Sequence, residues 1–259
     1  AATVIGNPQN MLIGQVLELR FAEYLAAAAM PVLLGLAATW LLLAWQSRSG
    51  WQAASPLPAA AERRSDEPAL DTWQTAKGLA VVAALLAIFV ATDWPREVAA
   101  LTAAGLLLMS RKFHSTKMLG LVDWELLILF IGLFVVNHAL ERTGLTKQAF
   151  ENLAALGLSM REQAALFGTT FVLSNLVSNV PAVMLLLPAA VEPFSGLMLA
   201  LVSTLAGNLL IVGSIANMIV VSAAARQGIR IDWRRHARAG VPVTVATLAI
   251  VAGWFAARF

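Results

Sequence analysis

The polar and apolar positions of this 259-residue chain alternate in long blocks rather than at the periods of an amphipathic surface. Leu25 to Trp45 is an uncharged run of 21 residues, closed by Trp40 and Trp45. Lys77 to Thr92, Glu97 to Met109, Asp123 to Leu140 and Ala239 to Ala257 are further apolar runs, and each predicts a helix crossing a bilayer, whose core takes roughly 20 residues. Between them lie a polar turn at Asp93-Trp94-Pro95-Arg96, a basic loop with Arg111, Lys112, His114 and Lys117, and a Ser-, Pro- and charge-rich connector over 46–76. Residues 145–158 are amphipathic and too polar to cross, which suits a helix lying in the interface.

Two stretches break this pattern. Arg161 to Ser174 is 14 residues long, about 21 Å as helix, and cannot span. Pro181 to Val191 is similarly short, so 161–191 reads as a re-entrant hairpin with Ser174-Asn175-Leu176-Val177-Ser178-Asn179 at its tip. Ser195 to Ala225 reads as one span broken at Gly213-Ser214. A broken helix at membrane depth is tolerated only where its freed amides and carbonyls line a cavity or are buried in protein.

Composition makes the class firm. Hydrophobic residues are 59% and charged residues 13%, with a mean hydropathy of +0.75. A soluble domain carries about a quarter charged residues. The expected fold class is an all-α polytopic membrane protein. The absence of cysteine excludes disulfides and thiolate metal sites, and three histidines scattered at 114, 138 and 236 give no metal cluster. The net charge of +3 sits mostly in loops and reports orientation rather than a nucleic-acid partner.

Charge placement predicts topology. Arg226, Arg230, Arg234, Arg235 and Arg238 mark the 226–238 loop as cytoplasmic. Counting spans backwards, with the hairpin entering and leaving on one side, puts the 110–117 loop and the 46–76 connector inside as well. The 93–96 turn and the C-terminus then fall outside, in a multi-pass protein of the cell (inner) membrane.

An internal repeat organises the rest. Gly6-Asn7-Pro8-Gln9-Asn10-Met11-Leu12-Ile13 aligns with Gly213-Ser214-Ile215-Ala216-Asn217-Met218-Ile219-Val220 at a fixed offset. In each copy a polar loop, a proline early in the next span and a terminal Trp follow. The span count makes the copies cross in opposite directions, and inverted repeats with discontinuous helices are the mark of secondary transporters. Residues 1–45 then end a first inverted repeat, 46–76 are the cytoplasmic connector and 77–259 form the second. Within the second lie scaffold spans 77–140, interfacial helix 145–158, hairpin 161–191, broken helix 195–225 and last span 239–257. The second motif has a long stretch from Lys77 ahead of it, whereas five residues precede Gly6. This predicts an upstream stretch with a second hairpin and makes the chain an N-terminally truncated fragment.

GNPQN, SNLVSNVPAVMLLLP and AGNLLIVGSIANMIV together resemble the ion transporter superfamily, in its citrate/arsenite permease-like branch of anion transporters. The resemblance implies a two-repeat fold, a scaffold domain, an elevator-type moving transport domain and a homodimer. In the related sodium/dicarboxylate symporters each hairpin tip carries Ser-Asn-Thr. Here Ser178-Asn179 matches, but Val180 replaces the threonine, which speaks against dicarboxylate binding and a standard sodium site.

Candidate binding residues are Gly6, Asn7, Asn10, Ser174, Asn175, Ser178, Asn179, Gly213, Ser214 and Asn217, with Asn208, Thr204 and His138 in a second tier. Ser178, Asn179, Gly213 and Asn217 offer oxygens to a hard monovalent cation; the coupling ion is Na+ or H+. The half-helix beginning near Pro181 presents amides to an anion. Asparagine at membrane depth is costly without a role, whereas isolated Ser203, Thr204 and Thr170 suit close helix packing. From Gln163 to Ala225 the only ionisable residue is Glu192, at a membrane edge. The expected function is secondary active transport of an inorganic or organic anion, or an arsenite-like solute, by alternating access, with no other cofactor. The alternatives are a sodium/proton antiporter, a passive channel and, remotely, a membrane-embedded enzyme.

Overall fold

The computed structural model describes residues 1–48, 71–109, 119–120, 122–192 and 194–258. Most of the connector and the 110–117 loop lie outside the described residues. All regular elements among the described residues are helices. Two compact units are present, one of Ala1–Trp45 with Ile128–Phe259, the other of Gln46–Leu127.

In the first unit, α1 (Pro8–Val16) starts where the proline at its first position needs no amide partner, and the Asn7 side chain caps it by accepting the Asn10 amide. A turn at 17–20 leads into α2 (Phe21–Ser47), which holds Pro31 inside it. Its 27 residues give about 40 Å, enough to cross. Leu33 and Leu36 are over 60% exposed, as suits a lipid-facing helix.

The second unit contains α3 (Thr72–Ala91), capped by Asp71, packed on α4 (Arg96–Leu108). α3 is of spanning length. α4 covers the run expected at 97–109, and its 13 residues reach about 20 Å.

α5 (Trp124–Thr143) runs into α6 (Leu145–Ala155) through Gly144 at φ 74°, and the two helices are bent by 64°. A left-handed residue allows so sharp a turn, and glycine takes it without Cβ strain. This separates an apolar helix from the amphipathic one expected at 145–158.

α7 (Gln163–Val177) and α8 (Asn179–Leu186) pack on each other across a single residue, Ser178. The centre of the unit is α9 (Ser195–Ala206), buried along almost its whole length. Its sequence is apolar on nearly every face, which suits a helix enclosed by neighbours or by lipid. Its neighbours are α7, α8, α1 and α11 (Trp233–Arg258). Gly196 brings α1 close, since a Cβ there would collide with Leu17.

The break after α9 is wider than Gly213-Ser214. The helix ends at Ala206, residues 207–210 turn, Ile211–Gly213 make one 3-10 turn, and α10 (Ile215–Arg226) begins after Ser214. Gly207 and Gly213 disfavour a continuous helix through the interval, because glycine loses the most backbone freedom in one. The expected 226–238 loop is also shorter. Asp232 accepts the Arg235 amide at 2.7 Å and starts α11 early, so Arg234, Arg235 and Arg238 stand on helix.

Candidate functional site

The site is built where the hairpin tip meets the break at 207–214. Ser178 joins α7 to α8 with φ 73° and ψ 163°, a region that only glycine occupies freely. That turn aims α8 so that its first residue, Asn179, enters the core at 6% exposure. Only one orientation of its amide avoids placing oxygen against oxygen. In it the nitrogen donates to Ser203 O at 2.9 Å and Gly213 O at 3.0 Å. One side chain therefore ties the hairpin tip to both α9 and the broken loop.

Glycine at 207 is a steric requirement of that contact. A Cβ there would stand 2.9 Å from the Asn179 amide and 3.1 Å from Ser214 Cβ. At Gly213 a Cβ would meet Asn175 Oδ1 at 3.1 Å. Asn175, Asn179, Ser214 and the two glycines thus form one cluster. Asn217 closes it, donating to Gly207 O at 2.7 Å and Leu210 O at 3.2 Å.

The first break reaches the same helix from another side. Asn7 Nδ2 donates to Thr204 Oγ1 at 2.9 Å and Gln9 Nε2 to the same oxygen at 3.4 Å. Thr204 neighbours Ser203 in sequence, so α9 carries the contacts of both breaks. Asn10 is wholly buried and donates to Thr3 O at 3.0 Å and Tyr24 Oη at 3.1 Å. Gly6 N–H bonds Thr3 O, and Gly213 N–H bonds Leu210 O, both at 3.1 Å. Asn10 to Thr3 and Asn217 to Leu210 are the same seven-residue reach, so the sequence repeat is repeated in hydrogen bonds.

The polar inventory is uneven. The amide nitrogens of Asn7, Asn10, Asn175, Asn179 and Asn217 all donate to protein oxygens. By contrast Ser174 Oγ, Asn175 Oδ1 and Asn10 Oδ1 are buried without a partner. A buried polar atom without a partner calls for an explanation, because leaving it so costs about 1–3 kcal/mol. The cluster contains no ionisable side chain, so it can bind only through oxygens, amides and dipoles.

Of the second tier, Asn208 supplies its carbonyl to His236 at 3.0 Å. His138 lies elsewhere, exposed on α5, in a cleft of about 430 Å³ lined also by Leu12, Phe134, Asn137, Glu141 and Met184. Among the described residues no group of three or more His, Cys, Asp or Glu could hold a metal. Sequence reasoning missed Gln9, Gly207, Tyr24 and His236. The signal for Gly207 was present in the Gly207-Asn208 pair directly after an apolar run.

Comparison with known proteins fits this architecture. The chain is 26% identical over 275 residues to an uncharacterized transporter of Mycobacterium tuberculosis, covering 100% of this chain and 64% of that protein. It is 30% identical over 236 residues to the inner membrane protein YbiR of Escherichia coli, covering 90% and 57%. A Dictyostelium discoideum protein that carries the name putative transporter arsB is 33% identical over 155 residues, covering 56% and 27%. The chain thus spans less than two thirds of the length of these relatives. The family described as Citrate transporter matches residues 1–198 of the 259, and the chain belongs to that citrate transporter family.

Proposed function

We propose that the protein is a secondary active transporter for an inorganic or organic anion, or an arsenite-like solute, working by elevator-type alternating access. The observation that carries this reading is the Asn179 side chain bonded to Gly213 O and Ser203 O. It makes the hairpin tip and the broken loop one uncharged polar site inside an apolar unit. Family membership and the names of the relatives support a membrane transporter rather than an enzyme.

The chemistry divides by element. The backbone amides at the starts of α8 and α10 carry the positive helix ends and suit an anion or a polar oxyacid. Ser174 Oγ and Asn175 Oδ1 suit a coupling cation, because their lone pairs have no donor. Gly207 O stands near Asn175 Oδ1, both beside Gly213, as a further oxygen. Sodium fits such oxygens directly. Proton coupling would need a titrating group that this cluster does not supply. In this reading the protein sits in the inner membrane as a homodimer, with Arg226 and Arg230 on the cytoplasmic side and the C-terminus outside.

The test is counterflow uptake by the intact protein in liposomes, offering citrate, sulfate, phosphate, dicarboxylates and arsenite with and without a sodium gradient. Uptake of at least one of these solutes is expected, faster with sodium outside. Sodium/proton exchange with no solute uptake would overturn the reading.

A further inference from the structure

The two breaks share more than their asparagines. Ala1 and Asn208 stand at the same offset as Gly6 and Gly213, and each offers its carbonyl to the second helix after its break, α2 or α11. Tyr24 Oη donates to Ala1 O at 3.0 Å. His236 Nε2 lies 3.0 Å from Asn208 O, and opposite a carbonyl, which only accepts, that nitrogen must donate. Tyr24 is the fourth residue of α2 and His236 the fourth of α11. The two side chains differ in type and agree in position and partner.

We infer that each break is held by a two-point brace, an asparagine seven residues downstream and a hydrogen-bond donor one turn into the second helix after it. Asn10 and Asn217 are positioning residues in this scheme, and so are Tyr24 and His236. The inference rests on the reading of the two breaks as halves of one site, and it assigns the shape of each half to named bonds.

Three observations make the brace more than a pair of incidental contacts. A broken helix leaves carbonyls unpaired at its end, and at membrane depth no water supplies them. Gly207 O and Asn208 O are such carbonyls past the end of α9, bonded by Asn217 and His236; Ala1 O takes Tyr24, and Thr3 O and Leu210 O take an asparagine nitrogen beside the Gly6 and Gly213 amides. Second, Asn10 has 0% exposure, so its amide nitrogen is not open to a passing solute. Third, Gly240 lies one turn beyond His236 and packs directly on the Asn208 carbonyl, where a Cβ would collide. Helix α11 is thereby seated on the break itself, and the ring of His236 is aimed by that seat.

The consequence is a division of labour. The nitrogen atoms of the repeated asparagines set the loop, while Asn175, Ser174 and the α8 and α10 amides are left to meet the solute and ion. It also ties the second helix after each break, α2 and α11, to the loop geometry. Gly35 of α2 and Thr247 of α11 come together, a Cβ at 35 lying 3.5 Å from Thr247 Cγ2.

Hydrogen exchange of the intact protein, without any solute, reads the brace directly. The reporters are the Gly6 and Gly213 amides, each bonded inside its break. Asn217→Ala and His236→Phe are expected to speed exchange at Gly213 at least tenfold, with Gly6 unchanged within twofold. Asn10→Ala and Tyr24→Phe are expected to do the reverse. Tyr24→Phe removes one oxygen and His236→Gln keeps a donor, so His236→Gln should return Gly213 to within twofold of wild type. Unchanged rates in all four variants, or acceleration spread evenly through α7 and α9, would overturn the brace. Because no solute is present, failure of the transport screen leaves these rates readable, and failure of the brace leaves uptake readable.

Discussion

The first break and the second break differ in what they do with their polar groups. In the first, Asn7 accepts the Asn10 amide with its oxygen and gives its nitrogen to Thr204. Gln9 and Asn10 are 4% and 0% exposed. In the second, Ser214 stands at the position of Asn7 in extended conformation and makes no side-chain cap. Ser214 and Asn217 are half-buried rather than enclosed. The same backbone break is thus filled once by a self-satisfied cap and once by a small residue that leaves room. The repeat sets the shape, and the residue at the capping position decides whether a half-site is closed on itself or faces the hairpin tip.

Four changes would break or sharpen that contrast, taken from the largest effect down. Gly207→Val puts a branched side chain where a Cβ alone would already stand 2.9 Å from the Asn179 amide. It should lower uptake at least a hundredfold, as measured in liposomes at equal amounts of folded protein. Asn7→Ala should lower thermal stability by about 1–2 kcal/mol, from the lost cap and the lost bond to Thr204 Oγ1, which keeps only the longer one from Gln9. Ser178→Gly should raise stability by about 1 kcal/mol in the same unfolding measurement, since glycine relieves a positive φ that costs a side-chain residue about 1–3 kcal/mol. Ser214→Ala should leave stability within about 0.5 kcal/mol, because no cap is lost there. Thermal unfolding of the Asn7 and Ser214 variants checks the asymmetry, and equal losses would erase it.

Much of this was legible from residue order. The blocks at 25–45, 77–92 and 239–257 became helices because long apolar runs have no other stable form in lipid. The break between two short helices was legible in the polar run Ser174-Asn175-Leu176-Val177-Ser178-Asn179, and it falls at Ser178. The offset repeat located both breaks, and it survives in the bonds of Asn10 and Asn217. Three features were not legible. The width of the second break depends on Gly207 meeting Asn179, a contact between residues far apart in sequence. Thr204 resembled an isolated packing residue until the fold placed Asn7 beside it. The early start of α11 depends on the Asp232 cap, which the arginine-rich composition of that stretch concealed. Each is a choice made by partners that no apolar pattern names.

The central claim is that the hairpin tip and the 207–214 break form one transport site through Asn179. Uptake by Asn179→Ala, compared with wild type at matched folded protein and with the solute identified by the counterflow screen, tests it most directly. The account predicts that transport is lost while thermal unfolding still shows a cooperative transition. Uptake at the wild-type rate would contradict it.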